Sequence, residues 1–303
     1  MSRLSSELYG YFRDLGITVR KDEPLKNHTS FRLGGTADLW VEPDSIEMLS
    51  RALEEVHKLD YPRMILGGGT NILFPDGGYR GMVLSTLGLV SLTSDGNAIT
   101  AQAGVPLSRI VSHSLNLGLD GLAEMTGIPG SIGGAVRGNA GAYGSSIGSV
   151  VDSITILDET GIPRSLKGSE CGFDYRYCNV AIDDVIADVR CVFRPDDPQK
   201  IRKIARDIIH DRMEKQPLGE RSAGCIFKNP PEEFAGRLLD DMGLKGSRKG
   251  GARISERHAN WIIVDETATA KDVVDLIEWI RSRVYEERDT VLETELVIVE
   301  PYS

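Results

Sequence analysis

The stretch from Arg63 to Phe74 constrains the fold most. Arg63-Met-Ile-Leu66 is an apolar run of strand type, Gly67-Gly-Gly-Thr-Asn71 follows, and Ile72-Leu-Phe74 resumes the apolar pattern before the turn residues Pro75-Asp-Gly-Gly78. No room is left for a helix between the two runs. A Rossmann dinucleotide fingerprint needs its glycine turn to open a helix, and the G-x-G-x-x-G spacing is missing. A P-loop needs Gly-Lys-Ser/Thr, which is missing too. What remains is a strand, a glycine loop and another strand. Consecutive backbone N–H groups with the Thr70 and Asn71 side chains suit a pyrophosphate, and taken alone the loop reads equally well as a tight turn.

A second glycine cluster favours the ligand. Gly121 to Gly148 holds nine of the 33 glycines in 28 residues, where average usage gives roughly two. Glycine weakens helix and strand interiors, but it admits φ > 0 and lets a phosphate or flat ring approach the main chain. A nucleotide cofactor held by two glycine loops is the economical reading. With 35 basic and 45 acidic residues, net −10, the chain lacks the positive field that nucleic-acid binding uses, so a small-molecule partner is expected. Polar residues break every apolar run of MSRLSSELYGYFRDLG, so no signal peptide or membrane span is expected and the expected compartment is cytoplasmic. Cys171, Cys178, Cys191 and Cys225 show no C-x-x-C pairing, which argues against zinc or a redox dithiol and for free thiols. The five histidines show no ligand spacing, so no metal is expected.

The 303 residues suggest about two domains. Ile46, Leu49, Leu53 and Val56 share one helical face after a cap at Asp44. Two strand runs lie within Leu87–Ala103, and Pro106–Leu117 is a helix with Gly118 beyond its end. Strands are expected at Ser153–Asp158, Ile162–Leu166 and Val185–Phe193, then a helix from Asp197-Pro198 to about Glu214. The rest reads as helix 232–242, strand 260–264, helix 270–286 and strand 291–299, an α+β layer arrangement, with a domain boundary near 200–215.

Three residues invite chemistry, each with a bland alternative. Arg176, between two tyrosines in GFDYRYC at the edge of an expected strand, could fork onto a carboxylate or enolate, although most arginines are solvated surface groups. Cys225 in SAGCIFKNP could give a proton to a carbanion, since an ordinary thiol with pKa near ~8.5 is protonated at neutral pH; a structural cysteine is the commoner fate. Glu293 and Glu295 of LETEL share one face of the last strand if it is regular, where acids usually meet solvent.

The motifs NHTSFRLGG, ILGGGTNILF, GIPGSIGGAVRGNAGAYG, DYRY, SAGCIFKNP and LETEL stand in the order found in the UDP-N-acetylenolpyruvoylglucosamine reductases. The chain resembles that family from about Asn27 onward, and specifically its shorter second type. The resemblance implies an α+β protein with the FAD-binding fold of the vanillyl-alcohol oxidase type, made of two α+β subdomains, followed by a C-terminal α+β substrate-binding domain. The implied limits are 1–90 and 91–210 for the subdomains, with the last strand, 291–303, returning to the first, and 211–290 for the substrate domain.

By the same resemblance the reaction is NADPH-dependent reduction of UDP-N-acetylglucosamine enolpyruvate through bound FAD, in peptidoglycan precursor synthesis. Gly67, Gly68, Gly69, Thr70 and Asn71 are implied for the FAD pyrophosphate. Gly127, Gly130, Ser131, Gly133, Gly134, Asn139, Gly141 and Gly144 are implied for the rest of the flavin site. Arg176 is implied to stabilise the enolic intermediate, with Glu295 as its carboxylate partner, and Cys225 stands where many members have the proton-donating serine. Tyr175, Lys215, Lys228 and Asn229 are implied for substrate and nicotinamide nucleotide. A bulky side chain at Gly133 or Gly134 is expected to cost flavin binding before it costs the fold. Another flavin oxidase or dehydrogenase of this fold, or a nucleotide-sugar-binding regulator without turnover, are the competing readings; flavin absorbance and substrate-dependent NADPH oxidation separate them.

Overall fold

The computed structural model describes residues 3–300 and divides into two compact units. The first takes the chain up to Glu23, then Asp38–Gly68 and Gly81–His210. The second takes Pro24–Ala37, Gly69–Arg80 and the chain from Asp211 on.

Two cores build the first unit. In one, the helices Arg3–Asp14 and Ile46–Lys58 bring Leu8, Phe12, Leu49, Leu53 and Val56 onto Leu39, Val41, Met82 and Leu84. Helical spacing puts these residues on one face, and the strands supply theirs by alternation. The sheet order is Thr18–Pro24, Thr36–Glu42, Tyr79–Ser85, Arg63–Leu66, with the last two parallel. The cap of the second helix is Ser45, whose hydroxyl accepts from the Met48 amide at 3.2 Å, and not Asp44.

The other core lies under a five-stranded sheet ordered Pro163–Lys167, Val151–Leu157, Val185–Val192, Ala98–Gln102, Leu92–Asp95, antiparallel throughout. Asp158 shapes the turn between Val151–Leu157 and Pro163–Lys167: one carboxylate oxygen accepts from the Thr160 hydroxyl and from the Thr160 and Ile162 amides at 2.6, 2.9 and 3.0 Å. The Thr160 hydroxyl above all holds this carboxyl below its usual range. The helix Leu107–Asn116 packs Leu107, Ile110 and Val111 into this core, and Gly118 ends it at φ +69°. The glycine-rich segment contributes a six-residue helix, Ile132–Arg137, that the sequence reading lacked. The units divide between His210 and Asp211, inside the 200–215 stretch where a boundary was expected and within the helix Pro198–Lys215.

The second unit surrounds the long helix Ala270–Arg288, whose Leu276, Ile277, Ile280 and Val284 are buried with Ile226, Phe227, Leu238 and Leu239. Phe31 and Leu73 join the same core from far upstream. Thr269 and Asp272 form a capping box at the start of this helix, and the Asp76 carboxylate accepts from the Ala270 and Lys271 amides at 2.8 and 3.1 Å. Three short strands, Arg248–Lys249, Ala252–Ile254 and Ile262–Val264, form an antiparallel sheet. The helix expected over 232–242 is Ala235–Asp241. The expected last strand is regular only at Val297–Ile298, which runs parallel to Ile72–Leu73; Pro301 to Ser303 lie outside the described residues.

Candidate functional site

In the first unit the two glycine loops touch. A Cβ on Gly68 would stand 2.8 Å from the Gly130 Cα, and one on Gly67 would stand 2.5 Å from the Ser131 hydroxyl. Side chains have no room there, which accounts for both glycines. The Ser131 hydroxyl caps the short helix by accepting from the Gly134 amide at 3.4 Å, while the Ile132 and Gly133 amides donate to Val105 and Ala103. The amides of Gly68, Gly130 and Ser131 donate to no protein acceptor among the described residues, although Ser131 is 2% exposed. A buried amide without an acceptor carries a desolvation cost, so these donors fit the phosphate or carbonyl oxygens of a flavin nucleotide. Gly127, Gly134 and Gly144 are exposed.

Gly133 is a correction. A Cβ there would fall 2.8 Å from the Ala103 Cβ and 3.1 Å from its carbonyl oxygen, so this glycine serves helix packing. At Gly134 only the Ser131 hydroxyl comes within reach, at 3.6 Å.

Arg176 sits at a tight turn and not on a strand. Asp174 and Tyr177 exchange backbone hydrogen bonds of 3.1 and 3.0 Å, leaving Tyr175 and Arg176 at the tip. Arg176 is left-handed there, at φ +53°, a conformation rare for side chains of its size. Its Nη1 donates to the Gly141 carbonyl at 3.1 Å, and its guanidinium lies 5.4 Å from the centre of the half-exposed Tyr175 ring. The amide of Asn139, itself at φ +40°, donates to the Asp174 carbonyl and accepts from the Gly148 amide. The structure therefore brings Arg176, Tyr175, Asn139 and Gly141 together.

Arg137 was missed. Its guanidinium donates to the carbonyls of Val180, Ala181 and Asp184, and burial chiefly pushes its pKa down. Three carbonyl partners leave no signature in the sequence, so only the folded chain reveals that this arginine pins the segment after Cys178.

In the second unit, Cys225 to Lys228 runs beside Glu293 to Glu295 without forming a regular strand. Phe227 and Thr294 form a bridge; the Lys228 amide donates to the Glu293 carbonyl at 2.9 Å, and the Glu295 amide donates to the Ile226 carbonyl at 2.8 Å. The irregularity separates the two acids: Glu293 is exposed and pairs with the Lys228 ammonium at 3.2 Å, while Glu295 is half-buried. The Asn71 side chain donates to the Glu295 carbonyl at 3.0 Å. A Cβ on Gly69, at φ +62°, would fall on the His28 carbonyl. Asn260 locks the thiol-bearing segment, its side chain exchanging two bonds of 3.0 and 2.8 Å with the Phe227 backbone. Cys225 is half-buried; the other three thiols are buried.

Two expected substrate residues have other partners. Asn229 accepts from the Ala235 amide at 3.1 Å and caps that helix, and Lys215 pairs with Asp211 at 2.5 Å.

Residues 216–299 match the family model described as UDP-N-acetylenolpyruvoylglucosamine reductase, C-terminal domain, and residues 37–166 match one described as FAD binding domain. The chain is 42% identical to a UDP-N-acetylenolpyruvoylglucosamine reductase of Alkaliphilus oremlandii over 93% of both chains. It is 44% identical to one of Syntrophus aciditrophicus over 92% of this chain and 91% of that one. A crystal structure of the reductase from Thermus caldophilus superposes with a TM-score of 0.79 at 31% identity, covering 94% of this chain and 99% of that one.

Proposed function

Since the chain belongs to the UDP-N-acetylenolpyruvoylglucosamine reductase family, we propose from that premise how its residues share the reaction. The protein is an FAD-dependent oxidoreductase with the FAD-binding α+β fold of that family. It reduces UDP-N-acetylglucosamine enolpyruvate with NADPH in peptidoglycan precursor synthesis. When bound, the flavin relays hydride from NADPH to the enolpyruvyl group.

In this proposal 1–90 and 91–210 carry the flavin and 211–290 the substrate, although Pro24–Ala37 and Gly69–Arg80 pack with the second unit. Gly67, Gly68, Gly69, Thr70 and Gly130 to Ser131 present backbone donors to the diphosphate and ring, and Gly127, Gly134 and Gly144 leave the wall open, whereas Gly141 is needed by its own hairpin, where a Cβ would fall 2.4 Å from the Ser145 carbonyl oxygen. Asn71 acts through its hold on the Glu295 backbone. The substrate carboxylate takes up charge as hydride arrives at C3. Arg176 stabilises that charge, Glu295 hydrogen-bonds the same group, and Cys225 delivers the proton to C2. Tyr175 and Lys228 contact substrate and the nicotinamide nucleotide, whereas Asn229 and Lys215 are engaged by the Ala235 amide and by Asp211. The cytoplasm is the proposed compartment, in keeping with the absence, among the described residues, of any helix long and apolar enough to cross a membrane.

The observation that carries this reading is the pairing of the Cys225–Lys228 segment with Glu293–Glu295, which fixes a thiol and a half-buried acid on neighbouring segments. The test is NADPH oxidation that depends on UDP-N-acetylglucosamine enolpyruvate in wild type. In Cys225→Ala, NADPH should still bleach the flavin while substrate fails to restore its colour.

A further inference from the structure

We propose that Asn139 is a positioning residue for Arg176, acting through the turn that carries it. The proposal rests on the assignment of Arg176 to the enolic charge and deepens it.

Asn139 is 6% exposed, and its side chain faces two backbone groups of opposite character. Nδ2 donates to the Asp174 carbonyl at 2.8 Å, and Oδ1 accepts from the Gly148 amide at 3.0 Å. Asparagine alone among side chains of this length offers a donor and an acceptor in one plane, and it tolerates the left-handed backbone found here. Asp174 is the base of the Arg176 turn; its carboxylate also accepts from the Tyr175 amide at 2.6 Å. From the tip of that turn Arg176 reaches back to the Gly141 carbonyl.

The two anchors enclose a small hairpin. Gly141 pairs with Ser146 and Ala142 with Ser145, and the connecting Tyr143 and Gly144 are both left-handed, at φ +53° and +82°. Asn139 grips the far side of this hairpin through Gly148, and Arg176 grips its near strand through Gly141. The turn is thus held at base and tip to one rigid element. Sparsely populated backbone conformations such as that of Arg176 persist where their surroundings over-determine them, and Asn139 supplies one of those constraints.

The test uses the full chain loaded with FAD. Asn139→Asp keeps the acceptor for Gly148 and the left-handed backbone but loses the donor to Asp174. Reduction by NADPH should stay within about twofold of wild type. Reoxidation by UDP-N-acetylglucosamine enolpyruvate should fall about 10²-fold, as a displacement of roughly 1 Å in a charge-stabilising group predicts. The loss should appear in kcat, with KM for that substrate nearly unchanged. In an Arg176→Ala background the same change should cost no more than about twofold, because its effect passes through Arg176. In the flavin-free protein, hydrogen exchange at the Tyr177 amide should accelerate.

Multiplying losses in the double variant would overturn the proposal. Parallel loss of both half-reactions, or of flavin content, would overturn it too and assign Asn139 to the flavin cradle. If Asn139→Asp does not fold, Asn139→Gly carries the same comparison, and failure of both to fold makes Asn139 structural and ends the proposal. Arg176→Ala alone separates the two readings: unchanged reoxidation removes the Arg176 assignment, whereas impaired reoxidation with a normal Asn139→Asp removes only the role of Asn139.

Discussion

Gly133 donates its amide to the carbonyl oxygen of Ala103 at 3.0 Å, and a Cβ on it would stand 2.8 Å from the Ala103 Cβ. Its neighbour Gly134 is exposed. Gly133→Val should therefore destabilise the protein by about 1–3 kcal/mol through overpacking, seen as a lowered Tm in the flavin-free protein. Gly134→Leu should keep that Tm close to wild type and purify with little flavin absorbance. Equal Tm losses would contradict the division.

In the proposed mechanism, removing Arg176 withdraws the charge that meets the enolate. Arg176→Ala should slow reoxidation by substrate about 10²- to 10³-fold, equivalent to roughly 3–4 kcal/mol, while NADPH still reduces the flavin at a near-normal rate. Arg176→Lys should recover only part, since an ammonium lacks the planar fork. Stopped-flow absorbance of each half-reaction checks this.

Thiol chemistry should single out Cys225. Burial pushes the Cys171 thiol up to about 11 and the Cys191 thiol up to about 12, and it raises Cys178 as well. Under native conditions a thiol-labelling reagent should modify Cys225 first, and the modified protein should lose reoxidation by substrate. Mass spectrometry of partly labelled protein locates the adduct. Cys225→Ser should keep turnover, because a hydroxyl can deliver the proton in place of the thiol.

His258 sets an acid limit on stability. Burial first, and the nearby Lys245 charge next, lower its pKa from 6.5, and its Nδ1 accepts from the Asn260 amide at 3.3 Å. The folded state thus holds the neutral ring, while the unfolded chain takes up a proton below about pH 6.5. The stabilisation is present above that pH and is lost as pH falls through and below it. Denaturant midpoints measured from pH 7.5 to 5 should decline in wild type and decline less in His258→Gln.

Much of this architecture was legible in local pattern. The helices at 107–116, 198–215 and 270–288 carry apolar periodicity with proline or a capping box at their starts, signals that need no distant partner. What the sequence hid depends on partners far away. Tyr79–Ser85 is a strand because Arg63–Leu66 lies beside it, and the helix inside the glycine-rich run exists because Val105 and Ala103 accept its first amides. LETEL reads as alternation, yet only its neighbour at Ile226–Lys228 decides that Glu293 and Glu295 part company. At the candidate site, residue types raised Arg176 and Cys225 only beside blander readings, and the family resemblance supplied their proposed roles. The roles of Asn139 and Arg137 stayed silent, because backbone carbonyls and amides are their partners.

The second unit is assembled from three separated lengths of chain, and this matters on the ribosome. Phe31 and Leu73 must wait for Ile226, Leu276 and the other members of their core, and Ile72–Leu73 for its strand partner at Val297–Ile298. At ordinary elongation speeds that interval is on the order of ten seconds or more. Throughout it, the nascent protein displays an unpaired strand and two large apolar side chains. Vectorial synthesis thus cannot finish this unit piecemeal, because Ile72–Leu73 is made more than two hundred residues before the strand that pairs with it.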